Sequence, residues 1–295
     1  MINVIQDLSI YFLSILCVLS RASLNVIDRK QYHYHQICPI VLGYWNNLFP
    51  LLIFEIILFL LNFDNFLTRV NLTFEPFLLA SLAQIISYVF GYCFKFINVV
   101  HLGFISKSAD LTISLGLIFL GFQQGLDILF LGLISSLFLV FYLFKNQNAN
   151  FFVIFLLILT LTINGLVSFL FNEWNYVTNT FTDLLNLTEG VLLWRLIFSI
   201  LILLAKQNLS SLYIFPINSI AYSLFSFRVF LSIFTQGSFI FLISHKFFIL
   251  VIPILNMTAI AGALLAFIFL GEKLGRSDIF FISMFFLFSS SLFFY

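Results

Sequence analysis

The chain has 295 residues, 62% apolar and only 8% charged, with a mean hydropathy of +1.13. An ordinary soluble domain is about half apolar and about a quarter charged, and 13 basic plus 12 acidic side chains are too few to coat a water-soluble fold of this size, so the surrounding solvent is mostly lipid. A net charge of +1, with its basic residues scattered singly, also excludes nucleic-acid binding by phosphate neutralisation.

At about 20 apolar residues per crossing the chain holds roughly ten spans and no separate soluble domain. The apolar runs predict helices over residues 8–27, 37–61, 76–96, 99–120, 127–144, 150–171, 187–205, 218–240, 247–270 and 277–295. Helices are favoured over barrel strands because the runs are long and continuously apolar, whereas membrane strands alternate over about ten residues. The first helix has no Lys or Arg before Arg21 and no small-residue cleavage site, so it reads as a retained signal anchor. Ser14, Cys17, Arg21, Asn25 and Asp28 recur on it at spacings that share one face. A cation well inside a span costs roughly 2.5–3.5 kcal/mol on insertion scales, which Arg21 escapes by snorkelling or offsets by serving a site. On the second helix Glu55 reads either as a protonated structural acid or as a proton-coupling carboxylate. The third carries Ser81, Gln84, Tyr88, Gly91 and Lys95 on one face, the fourth Gly103, Lys107, Asp110 and Ser114. Lys107 is too deep to snorkel easily, so it is either paired with Asp110 one turn on or used. Fifth and tenth helices offer only serines and a glycine. On the sixth, Thr160, Asn164 and Ser168 read equally as helix-packing groups or cavity lining. The longest polar stretch, Asn172 to Glu189, holds three acids and no base and reads as a loop with a short surface helix. Gln207 to Ser211 and Pro216 blur the start of the eighth span, on which Arg228 reads as an interfacial anchor. His33, His35, His101 and His245 fall at helix ends without ligand spacing, and Cys17, Cys38 and Cys93 form no CxxC, so neither a metal nor a cofactor is expected.

The chain repeats itself. IFLGFQQGLDI (118–128) returns about 150 residues later as IFLGEKLGRSDI (268–279), with both copies closing the fourth helix of a five-helix unit. An odd number of helices per unit forces the second copy to enter the membrane from the opposite side, giving an inverted repeat.

The ending FLGEKLG (Phe269 to Gly275), the ten-helix count and the five-plus-five repeat resemble the drug/metabolite transporter superfamily, in particular its EamA-like branch. The resemblance implies an all-α integral membrane protein of ten transmembrane helices in two inverted repeats, residues 1–148 and 149–295. It also implies a central cavity lined by helices 1, 3, 4, 6, 8 and 9, with helices 5 and 10 peripheral and available for a homodimer. Gly121-Phe122 departs from the family's Gly-Glu in the first copy. Arg195, in LLWRLIF, resembles a basic residue often found on the second helix of a unit. FISKSADLTISL (Phe104 to Leu115) is similar to the stretch on sugar-phosphate and nucleotide-sugar translocators where a lysine binds the anionic substrate. Here Asp110 replaces the usual proline, and Phe248 to Gly262 lacks a basic pair, so a phosphate antiporter is the second reading.

The expected function is therefore a secondary carrier of a small polar metabolite by alternating access, not an enzyme; no ATP-binding loop is present. Expected substrate contacts are Lys107, Asp110, Arg21, Tyr88, Gln84, Asn164 and Asn256, with Glu55 a candidate for coupling. The partners are a small-molecule substrate and the lipid bilayer, and the expected location is a bacterial inner membrane. A lipid-carrier flippase would use the same fold, and a membrane-embedded transferase would need the acidic stretch 172–189 as its surface site. Charge and resemblance disagree on orientation. Cytoplasmic termini, which the family implies, leave only Arg69 and Lys246 in cytoplasmic loops, against Arg29, Lys30, Lys95, Lys145, Lys206, Lys273 and Arg276 opposite, and basic residues in short loops normally stay inside.

Overall fold

A computed structural model describes residues 2–35, 37–60, 73–122, 125–145, 151–173, 181–206, 219–243, 254–255 and 257–291. Among them the chain is helical and forms no strand, as lipid demands, because a helix satisfies every backbone N–H and C=O within its own segment. Helix α1 (Ile2–Arg29) continues into a π turn, Lys30–Tyr34, and is followed by α2 (Pro39–Leu60) and α3 (Phe74–Phe96). Helix α4 is broken into two segments, Val99–Lys107 and Ala109–Phe119. Then come α5 (Gly125–Lys145), α6 (Phe151–Glu173), α7 (Phe181–Ala205), α8 (Ser219–Ile243), α9 (Thr258–Leu270) and α10 (Arg276–Ser291).

Among the described residues, seven stretches are long and apolar enough to cross a bilayer: Ile10–Tyr34, Pro39–Leu60, Phe74–Phe96, Val99–Phe119, Phe151–Phe171, Phe181–Ala205 and Ser223–Ile243. Phe119 and Phe59, 91% and 80% exposed, point out of the bundle, an arrangement suited to lipid and not to water. The molecule is a multi-pass helical membrane protein. Of the ten spans expected, α5, α9 and α10 fall below that length over their described apolar stretches, Gly132–Leu143 in α5 and Thr258–Leu270 in α9. One expectation is corrected: α7 starts at Phe181, so Asp183 and Glu189 lie on a helix and not in an acidic loop, and Glu189 is buried.

Helix α1 packs on α8 and α9, α3 on α6 and α7, and α2 on α7 and α8. Helix α4 packs on α9, α5 and α6, and α5 also on α10. Close approaches run through small residues, as membrane interfaces favour. A Cβ on Gly103 would stand 3.3 Å from Ala259 Cα, and one on Gly132 would stand 2.2 Å from the Leu111 backbone nitrogen. Backbone cannot yield as a flexible side chain does, so Gly132→Val is expected to lower stability by about 1–3 kcal/mol. At Gly237 a Cβ meets only Thr188 Oγ1, at 3.9 Å, and Gly237→Ala is expected to be tolerated. Melting curves of the two variants in detergent check the contrast; equal melting would show that α4 and α5 do not depend on this contact.

The repeated motif has one backbone signature. Gly121 and Gly271, the glycines of the two copies' FLG endings, have φ of 87° and 66°, left-handed values that glycine adopts without strain. Two buried apolar clusters bracket the bundle. One gathers the C-terminal part of α3 and the start of α4 around Phe94 and Phe104; the other gathers the early parts of α1 and α3 and the end of α8 around Cys17, Leu79 and Ile240.

Candidate functional site

Between the two apolar clusters lies a cavity of about 290 Å³, lined by α1, α3, α4, α6, α8 and α9, with Arg195 reaching in from α7. From α1 come Arg21, Asn25 and Asp28, three members of the predicted polar face. From α4 come Gly103, Ser106 and Lys107, and from α6 Asn164.

The break in α4 explains how its charges are accommodated. Ser108 interrupts the helix: its hydroxyl and its backbone N–H both donate to the Ile105 carbonyl, at 2.6 and 3.2 Å. Lys107 thereby ends one segment and Asp110 falls in the first turn of the next. The two side chains, on either side of this turn, attract one another. Asp110 is buried behind Lys107 and does not line the cavity.

Arg228 is not an interfacial anchor, as its position on the sequence suggested. It is buried and forks onto Asp28 of α1, with Nε donating to Oδ1 at 2.6 Å and Nη2 to Oδ2 at 3.2 Å. This two-pronged geometry is the strong form of an Arg–carboxylate pair. Ser20 and Thr235 join their hydroxyls on the same α1–α8 seam. Arg21 faces inward instead of snorkelling, its guanidinium 4.3 Å from the centre of the Phe239 ring, within cation–π range. Arg195 donates to two neutral amide oxygens, Gln84 Oε1 at 3.3 Å and Gln236 Oε1 at 3.4 Å.

The polar face of α3 turns elsewhere. What α3 shows the cavity is Leu79, Ala83, Ile86, Ser87 and Phe90. Gln84 is buried one layer back, where it accepts from Asn47 Nδ2 at 2.9 Å as well as from Arg195, so it positions Arg195 and does not line the cavity itself. Tyr88 packs on α2: a Cβ at Gly43 would meet its ring carbon Cε1 at 2.7 Å. Glu55, on α2, is outside the cavity lining and lies within electrostatic reach of Glu189 on α7. Asn256 lies outside the described residues.

One end of the bundle is tied by a buried polar cluster that sequence reading did not foresee. Glu272, immediately after Gly271, accepts Arg29 Nε at 3.3 Å through Oε1 and the Val99 backbone N–H at 2.9 Å through Oε2. Arg29 Nη1 also donates to the Phe94 carbonyl. His101 pairs with Asp278 at 3.2 Å, and Asp278 accepts the Gly275 N–H at 2.8 Å, closing the turn into α10. The link between α9 and α10 is thus fastened to α1 and α4, and Arg29 ties α3 to the same cluster. In the first copy the equivalent of Glu272 is Phe122, which packs on the apolar cluster of Ala109, Ile113, Leu117 and Phe169.

No family model matches this chain, and no curated protein matches its sequence.

Of the residues the cavity uses, sequence reading took Arg228 for an interfacial anchor and noted Arg195 only for a resemblance; the cost of a cation inside a span is the signal that could have marked both. The signal missing from one sequence was which helices they would share a cavity with.

Proposed function

We propose that this chain is a secondary carrier of a small polar metabolite, working by alternating access in a bacterial inner membrane on the ten-span, two-repeat plan of the EamA-like drug/metabolite transporters. One observation carries the reading: the cavity is built symmetrically. Adding five to α1, α3 and α4 gives α6, α8 and α9, the other three helices that surround it. The same shift turns the α1–α8 contact into α6–α3, α1–α9 into α6–α4 and α3–α7 into α8–α2, and returns α2–α7, α4–α9 and α5–α10 to themselves. These pairs survive exchange of halves, whereas α4–α5 has no α9–α10 counterpart of like extent among the described residues; the shared pairs support a pseudo-two-fold axis, on which five helices per half would make the repeat inverted. The paired left-handed glycines, Gly121 and Gly271, support it further.

Alternating access predicts that one cavity residue meets water from both sides in turn. In a Cys38→Ser background, Ser106→Cys is expected to react with an impermeant thiol reagent in right-side-out and in inverted vesicles. Labelling from one side only would replace the carrier by a one-sided binding protein or a membrane-embedded transferase.

Orientation is tested separately. Arg29 is buried against Glu272, so it leaves the tally of loop charges, which still favours external termini. A cytoplasm-only fluorescent reporter fused after Tyr295 is expected to stay dark while the protein inserts. A bright fusion would give the family's usual orientation.

A further inference from the structure

Four cations line the cavity, Arg21, Lys107, Arg195 and Arg228, against one carboxylate, Asp28, among the described lining residues. Asp28 is committed to Arg228 in a two-pronged bond. Asp110, behind the wall, answers Lys107. Arg21 and Arg195 are left with a ring face and two neutral amides, and among the described residues no carboxylate lies within ion-pair distance of either. Arg21 and Lys107 moreover repel one another across the same space. Uncompensated positive charge inside a bilayer is costly, and a bound ligand that brings the missing negative charge offsets that cost. The remaining walls, Leu24, Leu161, Phe239 and Ile240, are apolar, and the volume sits at the small end of the range for ligand pockets, roughly 300–1,000 Å³.

We infer that the cavity binds an organic oxyanion, a carboxylate or phosphate on a small and partly apolar body, with Arg21 and Arg195 as its direct ligands and Lys107 as the third cation. Guanidinium groups suit this task because their planar fork matches an oxyanion edge. Gln84 and Gln236 hold Arg195 without neutralising it, which leaves its charge for the ligand. The inference names the substrate class of the proposed carrier and rests on the cavity being the substrate site.

The test is thermal melting of the purified full chain in uncharged detergent with malate, glycerol 3-phosphate and inorganic phosphate, beside glucose and choline, and with phosphatidylglycerol in a separate arm. Malate or glycerol 3-phosphate is expected to raise the melting temperature, since a ligand bound only by the folded state stabilises it. Arg21→Gln and Arg195→Gln are expected to abolish that rise. Both variants are expected to melt at or above the parent when no anion is present, because each removes a charge without a counter-ion, so misfolding is distinguishable from lost binding. A rise that survives both substitutions, or one produced by glucose or choline alone, overturns the inference. A rise confined to phosphatidylglycerol and lost in both variants upholds the oxyanion chemistry and makes a lipid headgroup its source. If no compound shifts melting while Ser106→Cys still labels from both sides, the anion inference fails and the carrier stands; one-sided labelling fails the carrier instead.

Discussion

Glu272→Ala is expected to destabilise the protein by about 3–5 kcal/mol, the usual cost of stranding one partner of a buried ion pair. Arg29 and Glu272 are both buried, and the carboxylate also receives the Val99 N–H that opens α4. Removal therefore strands a guanidinium and a helix-terminal donor together. Glu272→Gln keeps an acceptor for Val99 and loses only the charge, so it is expected to fall between Ala and the parent. Denaturation in mixed micelles reads the three. An Ala variant within about 0.5 kcal/mol of the parent, the range of ordinary surface substitutions, would mean that water or lipid already serves Arg29.

Lys107→Ala is expected to lower uptake and substrate binding roughly ten- to a hundred-fold, the worth of one charged hydrogen bond at about 1.5–3 kcal/mol. The single variant is ambiguous because it also strands Asp110, which is buried beside it. The double variant Lys107→Ala with Asp110→Asn removes the stranded charge. Folding is expected to recover and transport is not. If the double variant carries substrate at the parental rate, the two residues are only a structural pair at the break in α4.

Much of this was legible without coordinates because lipid restricts the options. Helix edges came within a few residues at most positions, since a run such as Val99–Phe119 can end only where polar groups reach water. Arg21, Lys107 and Asn164, named as substrate contacts although Arg21 also read as snorkelling and Asn164 as helix packing, line the cavity, as do Asn25 and Asp28 of the same α1 stripe. Tyr88 and Gln84 were misplaced for a physical reason. A polar stripe marks the side of a helix that avoids lipid, but α3 touches α2, α6 and α7 as well as the cavity, and its stripe went to the neighbours. Arg228 looked interfacial because its partner, Asp28, is 200 residues away in the chain. Glu272 belonged to a motif read as a turn; that its carboxylate crosses to Arg29 depends on how four helices meet, which no local pattern contains.

The two copies of the FLG motif end unequally, Phe122 in one and Glu272 in the other. In a machine whose halves trade places, equal fastenings would make its two resting poses isoenergetic. Here one fastening is ionic and the other greasy. On the carrier proposed here, an Arg29–Glu272 bond that had to part for the Glu272 end to open would set that end apart from the Phe122 end, and the two faces would meet cargo unequally.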